Sequence, residues 1–268
     1  MGNKITLGQF IPGDSVVHRL DPRTKILLMV AFIVLVFVVK SLPVFLIPAA
    51  FVIAVVMLAK VPVSYLKNAI KPIRWLLLFM FIINIFVTPG EKELLHFWIF
   101  RITEESLTQA VYITVRLVLL VSGTSLLTLT TSPIRLTDGI EKLFSPFARF
   151  GFPAHELAMM MTIALRFIPT LMEEVDRIRK AQTARGADFT SGNIIERAKA
   201  MLPILIPLFV SAFRRADELA MAMESRCYRG GEGRTRMVEL KLGKIDAVAF
   251  VVTAAVFASV ILLNGVLA

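Results

Sequence analysis

IDAVAFVVTAAVFASVILLNGVL, residues 245–267, carries one charged side chain, Asp246 at its edge, and is otherwise apolar or uncharged. A helix rises about 1.5 Å per residue, so roughly 17–25 such residues cross the ~30 Å hydrocarbon core of a bilayer. The stretch is therefore expected to span a membrane. Four more apolar runs precede residue 133, at about 25–41, 42–59, 73–89 and 107–130. Lys40, Ser41 and Pro43 divide the first two, which together are too long for one span. The first is the weakest: only Ile26 to Val39 is uninterrupted, and it needs Lys25 and Lys40 to snorkel toward opposite interfaces. A re-entrant hairpin over 26–59 stays open as the other reading of that pair.

The composition agrees. The 268 residues are 56% hydrophobic with mean hydropathy +0.74, against roughly 45–50% apolar usage in an average soluble domain. Apolar residues bunched in this way exclude an ordinary soluble domain, a disordered chain and a disulfide scaffold. The single cysteine, Cys227, cannot close an internal bridge and sits in an Arg-rich stretch, which fits a reduced, cytoplasmic location and a packing role. A net charge of +10 would suggest nucleic acid as the partner of a soluble protein. Here the cations flank apolar runs instead, so they report topology and no nucleic-acid partner is expected. Residues 1–24 are polar, with Pro12 and Pro22, and no small-residue cleavage site follows the first apolar run, which is expected to stay in the mature protein.

Loop charges set the orientation. Arg19, Arg23 and Lys25 precede the first run, and Lys60, Lys67, Lys71 and Arg74 lie between the second and third, so the positive-inside rule puts the N-terminus in the cytoplasm. The loop after the third run sets Glu91, Glu93, Glu104 and Glu105 against Lys92 and Arg101, as suits an external connection, with Trp98 as an interfacial anchor. The expected architecture is an all-α integral membrane protein of about five transmembrane helices. Residues 1–24 form a cytoplasmic N-terminal segment, 25–132 four transmembrane helices, 133–244 a cytoplasmic domain of long amphipathic helices, and 245–268 a fifth transmembrane helix that carries the C-terminus out. Ala254 and Ala258 in that last helix allow close helix approach. Arg116 is the one deep charge in the confident spans, as a helix-pairing, snorkelling or functional residue.

The cytoplasmic stretch carries the functional signal. After Pro133, Ile140, Leu143, Phe144, Phe147 and Phe150 recur at helical spacing, with Asp138 suited to a first turn, as in a helix lying along the membrane surface. A long amphipathic helix is expected from Pro153 to Arg185, bent at Pro169, with Gly186 as its C-cap; Glu173 with Arg177 and Asp176 with Lys180 form a solvated face. A third begins near Asn193. Its Met201–Val210 stretch is apolar all round but too short and proline-broken to span, so it is expected to be buried in protein or in the interface. It runs on to Ser225-Arg226-Cys227, with Gly230, Gly231 and Gly233 soon after.

Two long helices thus end in small-Arg-small tripeptides, Ala184-Arg185-Gly186 and Ser225-Arg226-Cys227. An Arg near a helix C-terminus is already favoured by the macrodipole. Two helix ends, each presenting a guanidinium between unobstructive neighbours, also suit two similar grooves on a partner, where Arg binds carboxylates bidentately. Met159, Met160, Met161, Met172, Met201, Met221 and Met223 share these helices, either as an adaptable partner surface or as fillers of a core.

Several ordered motifs then become recognisable: Gly13-Asp14-Ser15, His18-Arg19-Leu20-Asp21-Pro22-Arg23-Thr24-Lys25, Leu129-Thr130-Thr131-Ser132-Pro133, Leu165-Arg166-Phe167-Ile168-Pro169-Thr170-Leu171, Ala181-Gln182-Thr183-Ala184-Arg185-Gly186-Ala187-Asp188 and Ser225-Arg226-Cys227-Tyr228-Arg229-Gly230-Gly231. Together they resemble the transmembrane T component of energy-coupling factor transporters, over nearly the whole chain. Asp21-Pro22 is also simply a good helix start.

The resemblance implies an ABC-type vitamin or metal uptake system in the bacterial cell membrane. In it this subunit would join two ATPase subunits to one small substrate-capturing membrane subunit, dedicated or shared with others of its kind. The two Arg tripeptides would end coupling helices docked in the ATPase grooves, which assigns that role to Ala184, Arg185, Gly186, Ser225, Arg226 and Cys227. Met160, Met161 and Phe167 would meet the capturing subunit. No cofactor or metal is implied.

The chain has no G-x-x-x-x-G-K-[ST] phosphate loop, so energy would come from a partner. Two other classes compete. A membrane enzyme would need clustered groups, yet His18, His96 and His155 are scattered; a secondary carrier would show inverted repeats or midplane carboxylates, and neither is visible.

Overall fold

The computed structural model describes residues 10–89, 93–97, 100–189, 191–230 and 240–267. Asn3, Glu91, Lys92, Trp98, Gly231 and Gly233 lie outside the described residues. The chain forms two compact units, one built from the segments before residue 144 and after 237, the other from residues 144–237.

In the first unit, α1 (Val16–Arg19) leads into α2 (Pro22–Val38), a 3₁₀ turn (Leu42–Phe45) and α3 (Leu46–Ala59). Next come α4 (Val63–Ile70), a 3₁₀ turn (Lys71–Ile73) and α5 (Arg74–Val87). A short antiparallel hairpin, β1 (Glu93–Phe97) and β2 (Phe100–Thr103), leads into α6 (Glu104–Thr130), then α7 (Pro133–Phe144); α10 (Lys244–Leu267) completes the unit. Beyond its first turn α6 carries one charge, Arg116: Thr103 and Ser106 close a capping box at its start, while Glu104 and Glu105 face the positive end of the helix dipole.

Four segments are long and apolar enough to cross a membrane: Leu42–Ala59, Val63–Val87, Glu104–Thr130 and Lys244–Val266. The remaining expected span falls on α2, whose 17 residues rise about 25 Å, short of the hydrocarbon thickness. Yet α2 is the centre of the packing. Phe32, Leu35, Val36 and Val39 share one core with Val52 and Val56 of α3, Leu119 and Leu126 of α6 and Val260 of α10. Gly123 of α6 makes that approach possible: a Cβ there would meet the Phe32 ring at 2.5 Å.

Polar groups tie the ends of this bundle. Asp21 caps α2 through the Arg23 amide, 2.9 Å, as Asp before Pro at N1 should. Burial pushes the Asp21 carboxyl up, but the Arg23 side chain and amide pull it further down, so it stays below the ordinary carboxylate range. The Asp21 amide donates to Asp246 at 2.9 Å, and the Gly243 amide donates to the same carboxylate at 2.8 Å, which joins α2 to the start of α10. His18 bridges Ser15 Oγ (2.7 Å) and the Ile11 carbonyl (3.0 Å), while the Ile11 amide donates to Leu129 O at the end of α6.

Two expectations are corrected here, for Lys25 and Asp138, and an open one, for Arg116, is narrowed. Lys25 does not snorkel: its ammonium is buried and donates to His18 O (3.3 Å), Thr130 O (2.9 Å) and Thr131 Oγ1 (3.1 Å), because three acceptors at the α1 and α6 ends replace its water. Asp138 is not in a first turn, since α7 begins at Pro133. Arg116 is a helix-pairing residue: its guanidinium donates to Val39 O at 3.2 Å and to the Tyr112 hydroxyl, and Tyr112 donates to the same carbonyl, so α6 seals the C-terminal end of α2. The C-terminus of α10 closes the same end, where Asn264 accepts from the Lys40 amide (3.2 Å) and donates to Val38 O (2.9 Å).

Candidate docking helices

The second unit consists of a 3₁₀ segment (Ser145–Phe150) and two helices of more than thirty residues, α8 (Ala154–Ala184) and α9 (Ile194–Ser225). Pro169 lies inside α8, and Pro203 and Pro207 inside α9. Asn193 and Glu196 form a reciprocal capping box at the start of α9. On α8, Asp176 takes Arg179 at 3.0 Å, and Glu174 reaches across to Arg215 of α9 at 3.6 Å. His155, near the start of α8, lies 3.5 Å from the Tyr228 hydroxyl just beyond the end of α9.

Those two cross-contacts run in opposite chain directions, so α8 and α9 are antiparallel and their C-terminal tips point to opposite ends of the pair. Arg226 is beside Tyr228 and hence beside the start of α8, whereas Arg185 is at its far end. With 1.5 Å of rise per residue along α8, the two arginines are held on the order of 40 Å apart.

The two tips are built alike. Arg185 occupies the C-cap; the Gly186 amide donates to Thr183 O and the Ala187 amide to Gln182 O, both 3.0 Å. Arg226 occupies the C-cap of α9; the Cys227 amide donates to Glu224 O at 2.8 Å and the Tyr228 amide to Met223 O at 3.0 Å. Each pattern is a complete Schellman motif. Backbone amides do the capping, so neither guanidinium is consumed by it. Both arginines are exposed, and among the described residues neither side chain has a hydrogen bond or ion pair.

The motif needs a left-handed residue after the C-cap. Gly186 supplies it at φ +88°; Cys227, exposed and carrying a free thiol, is forced into it at φ +55°. Thus α9 stops on Cys227, ahead of Gly230. A left-handed non-glycine residue costs roughly 1–2 kcal/mol, while glycine returns about 0.4–1 kcal/mol to the unfolded chain. Cys227→Gly should therefore strengthen the α9 end by about 0.5–1 kcal/mol and Gly186→Ala weaken the α8 end by a similar amount. Amide hydrogen exchange in the last turn of each helix, slower in the first variant and faster in the second, checks both.

Ala184 and Ser225 are the last helical residues, and the Ser225 hydroxyl donates to Ala222 O at 3.0 Å. The structure thus brings each tripeptide together and holds the two tripeptides apart. On α8, Met160 and Met161 are each 54% exposed and Phe167 is half-buried. Neither methionine is enclosed by its own unit.

The apolar stretch of α9, expected to be buried in protein or in the interface, is not enclosed by its own unit. Only Ile204 is buried, whereas Leu202, Ile206, Phe209 and Phe213, spaced as one helical stripe, are 49–67% exposed. Hydrophobicity signals a need for cover here but not its source, and among the described residues of the second unit nothing covers this face.

The CbiQ family, described as cobalt transport protein, matches residues 13–237. Among similar chains, one from Thermosediminibacter oceani is 56% identical over 250 residues, covering 93% of this chain and 94% of its own. One from Clostridium kluyveri is 56% identical over 246 residues, 91% of each. One from Bacillus subtilis is 50% identical over 240 residues, 90% of this chain and 91% of its own. All three are named energy-coupling factor transporter transmembrane protein EcfT. Matched over residues 13–237 by the family and over nine-tenths of its length by these relatives, the chain belongs to the EcfT/CbiQ family of transmembrane components of energy-coupling factor transporters.

Proposed function

We propose that this transmembrane component is a non-catalytic coupler, which joins two ATPase subunits on the cytoplasmic side to one small substrate-capturing membrane subunit. The observation that carries the reading is the pair of tips with the same capping pattern, each with an arginine that is unpaired among the described residues, on two antiparallel helices. Two like ATPase subunits offer two like grooves, and a rod seated in both converts their approach into strain or tilt of the helices. The exposed faces of α8 and α9 give the capturing subunit its surface, with Met160, Met161 and Phe167 extended by Leu202, Ile206, Phe209 and Phe213. Flexible methionines suit a surface that receives more than one such subunit. The transported solute is then chosen by the capturing subunit. Co-purification on the tagged chain tests the assembly: two ATPase copies and one capturing subunit are expected by native mass spectrometry, and a chain that purifies alone from cells expressing all of them contradicts it.

The orientation belongs to the same proposal, with residues 1–24 and 133–244 in the cytoplasm and the end of α10 outside. Asn264 is buried between Val38 and Lys40, so Val266, 80% exposed, is the better reporter. In intact cells that express this chain without its ATPase subunits, wild-type Cys227 should resist an impermeant maleimide and react only after permeabilisation, whereas Val266→Cys in a Cys227→Ser background should react from outside. The opposite pattern reverses the topology.

A further inference from the structure

Between Asp21 and Glu91 the chain contains no aspartate or glutamate, yet Lys60, Lys67, Lys71 and Arg74 fall within that interval. Among the described residues no carboxylate pairs with any of the four. Where α4 passes through the Lys71–Ile73 turn into α5, an open cleft of about 500 Å³ is lined by Asn68, Lys71, Pro72, Arg74 and Trp75. Asn68, Lys71, Pro72 and Trp75 are spaced i, i+3, i+4, i+7, so a single helical stripe carries an amide, an ammonium and an indole together. Trp75 is 67% exposed, and the Arg74 guanidinium rests 5.4 Å from the centre of its ring, which holds the cation at the cleft.

These features share one physical demand. Two cations beside an apolar span need an anion that the neighbouring chain does not provide, and an exposed tryptophan at the start of the apolar part of a span is an interfacial group. An arginine fork with an adjacent ammonium matches phosphate oxygens, which Arg can take bidentately.

We propose that this cleft binds the headgroup phosphate of an anionic phospholipid, with Arg74 and Lys71 on the phosphate, Asn68 donating to the headgroup and Trp75 against the upper acyl chain. The site anchors the start of α5 at the bilayer surface. Only the choice of leaflet rests on the orientation proposed above; binding itself does not, so the labelling experiment and the one below fail independently.

The full-length chain is extracted from vesicles of equal parts phosphatidylcholine and phosphatidylglycerol, and its retained lipids are counted by native mass spectrometry. Wild type is expected to retain phosphatidylglycerol selectively. Lys71→Gln with Arg74→Gln should reduce that selectivity about twenty-five-fold, since each cation near an anionic surface contributes roughly a fivefold factor. Lys40→Gln with Lys60→Gln removes equal charge elsewhere and should leave it intact, as should the charge-conserving Lys71→Arg, which separates lost binding from lost folding. Equal losses in the two neutralised pairs, or none in either, overturn the cleft as a site. Displacement by excess free glycerol phosphate overturns a lipid as its occupant.

Discussion

Arg185→Glu combined with Arg226→Glu should abolish uptake by the assembled transporter while the chain remains in the membrane at its normal level. Each tip presents a guanidinium that its own helix does not use, because backbone amides satisfy the terminal carbonyls. Seated in a groove and facing a carboxylate, such a group is worth far more than on a rim. Truncating one partner of a buried charge pair costs about 2–5 kcal/mol, against roughly 0–1 kcal/mol for an exposed pair. Reversal adds repulsion to that loss. Each single variant is therefore expected to weaken assembly, or to let ATP hydrolysis run without uptake, by more than tenfold. The double variant has no seat left through which to transmit motion. Arg177→Glu, exposed on the outer part of α8, should change neither. Uptake assays with subunit levels measured in parallel decide this, and normal uptake in the double variant would leave these arginines without a docking role.

The second large effect is expected on the apolar faces. Met161→Asp or Phe209→Asp should release the capturing subunit while the ATPase subunits stay bound. Covering a methionine or phenylalanine is worth about 1.5–3 kcal/mol, and burying an unpaired carboxylate in its place adds several more. Both side chains are more than half exposed in the isolated chain, so the substitutions disturb no internal packing. Met161→Leu, which keeps volume and apolarity, should keep the subunit. Pull-down on the tagged chain reads the two associations separately. Retention of the capturing subunit by both Asp variants would assign these faces to another surface, lipid included.

Much of this molecule is legible in its sequence, because many of its signals are local. Asp21-Pro22 announces the start of α2, Gly186 the end of α8, and the apolar run over 245–267 the last helix, each through the chemistry of a few neighbouring residues. What is not legible depends on distant partners. Lys25 reads as an interfacial cation until Thr130 and Thr131, a hundred residues on, supply its acceptors. Nothing local to Asn264 announces its bonds to Val38 and Lys40, more than two hundred residues away. Cys227 gives no sign of a left-handed turn, since the propensity of cysteine argues against one and only the closure of the second motif imposes it. The Met201–Val210 stretch reads as buried because hydropathy registers the need for cover and not its source.

The N-terminal motif and the Arg tripeptides, met together as one family signature, also separate in space into two roles. His18, Asp21 and Lys25 are spent inside the bundle, tying α1, α2, α6 and α10. Among the described residues, Arg185 and Arg226 are paired with nothing. That contrast is why docking is assigned to the second group alone.

Site-specific photocrosslinking tests the central claim most directly. A benzophenone side chain placed at Ala184 or at Ser225, next to each arginine, is activated in the assembled complex and the adducts are identified by mass spectrometry. The account predicts that both positions crosslink to ATPase subunits, while the same group at Arg177 does not. Adducts from Ala184 and Ser225 with the capturing subunit, or with lipid alone, would contradict it.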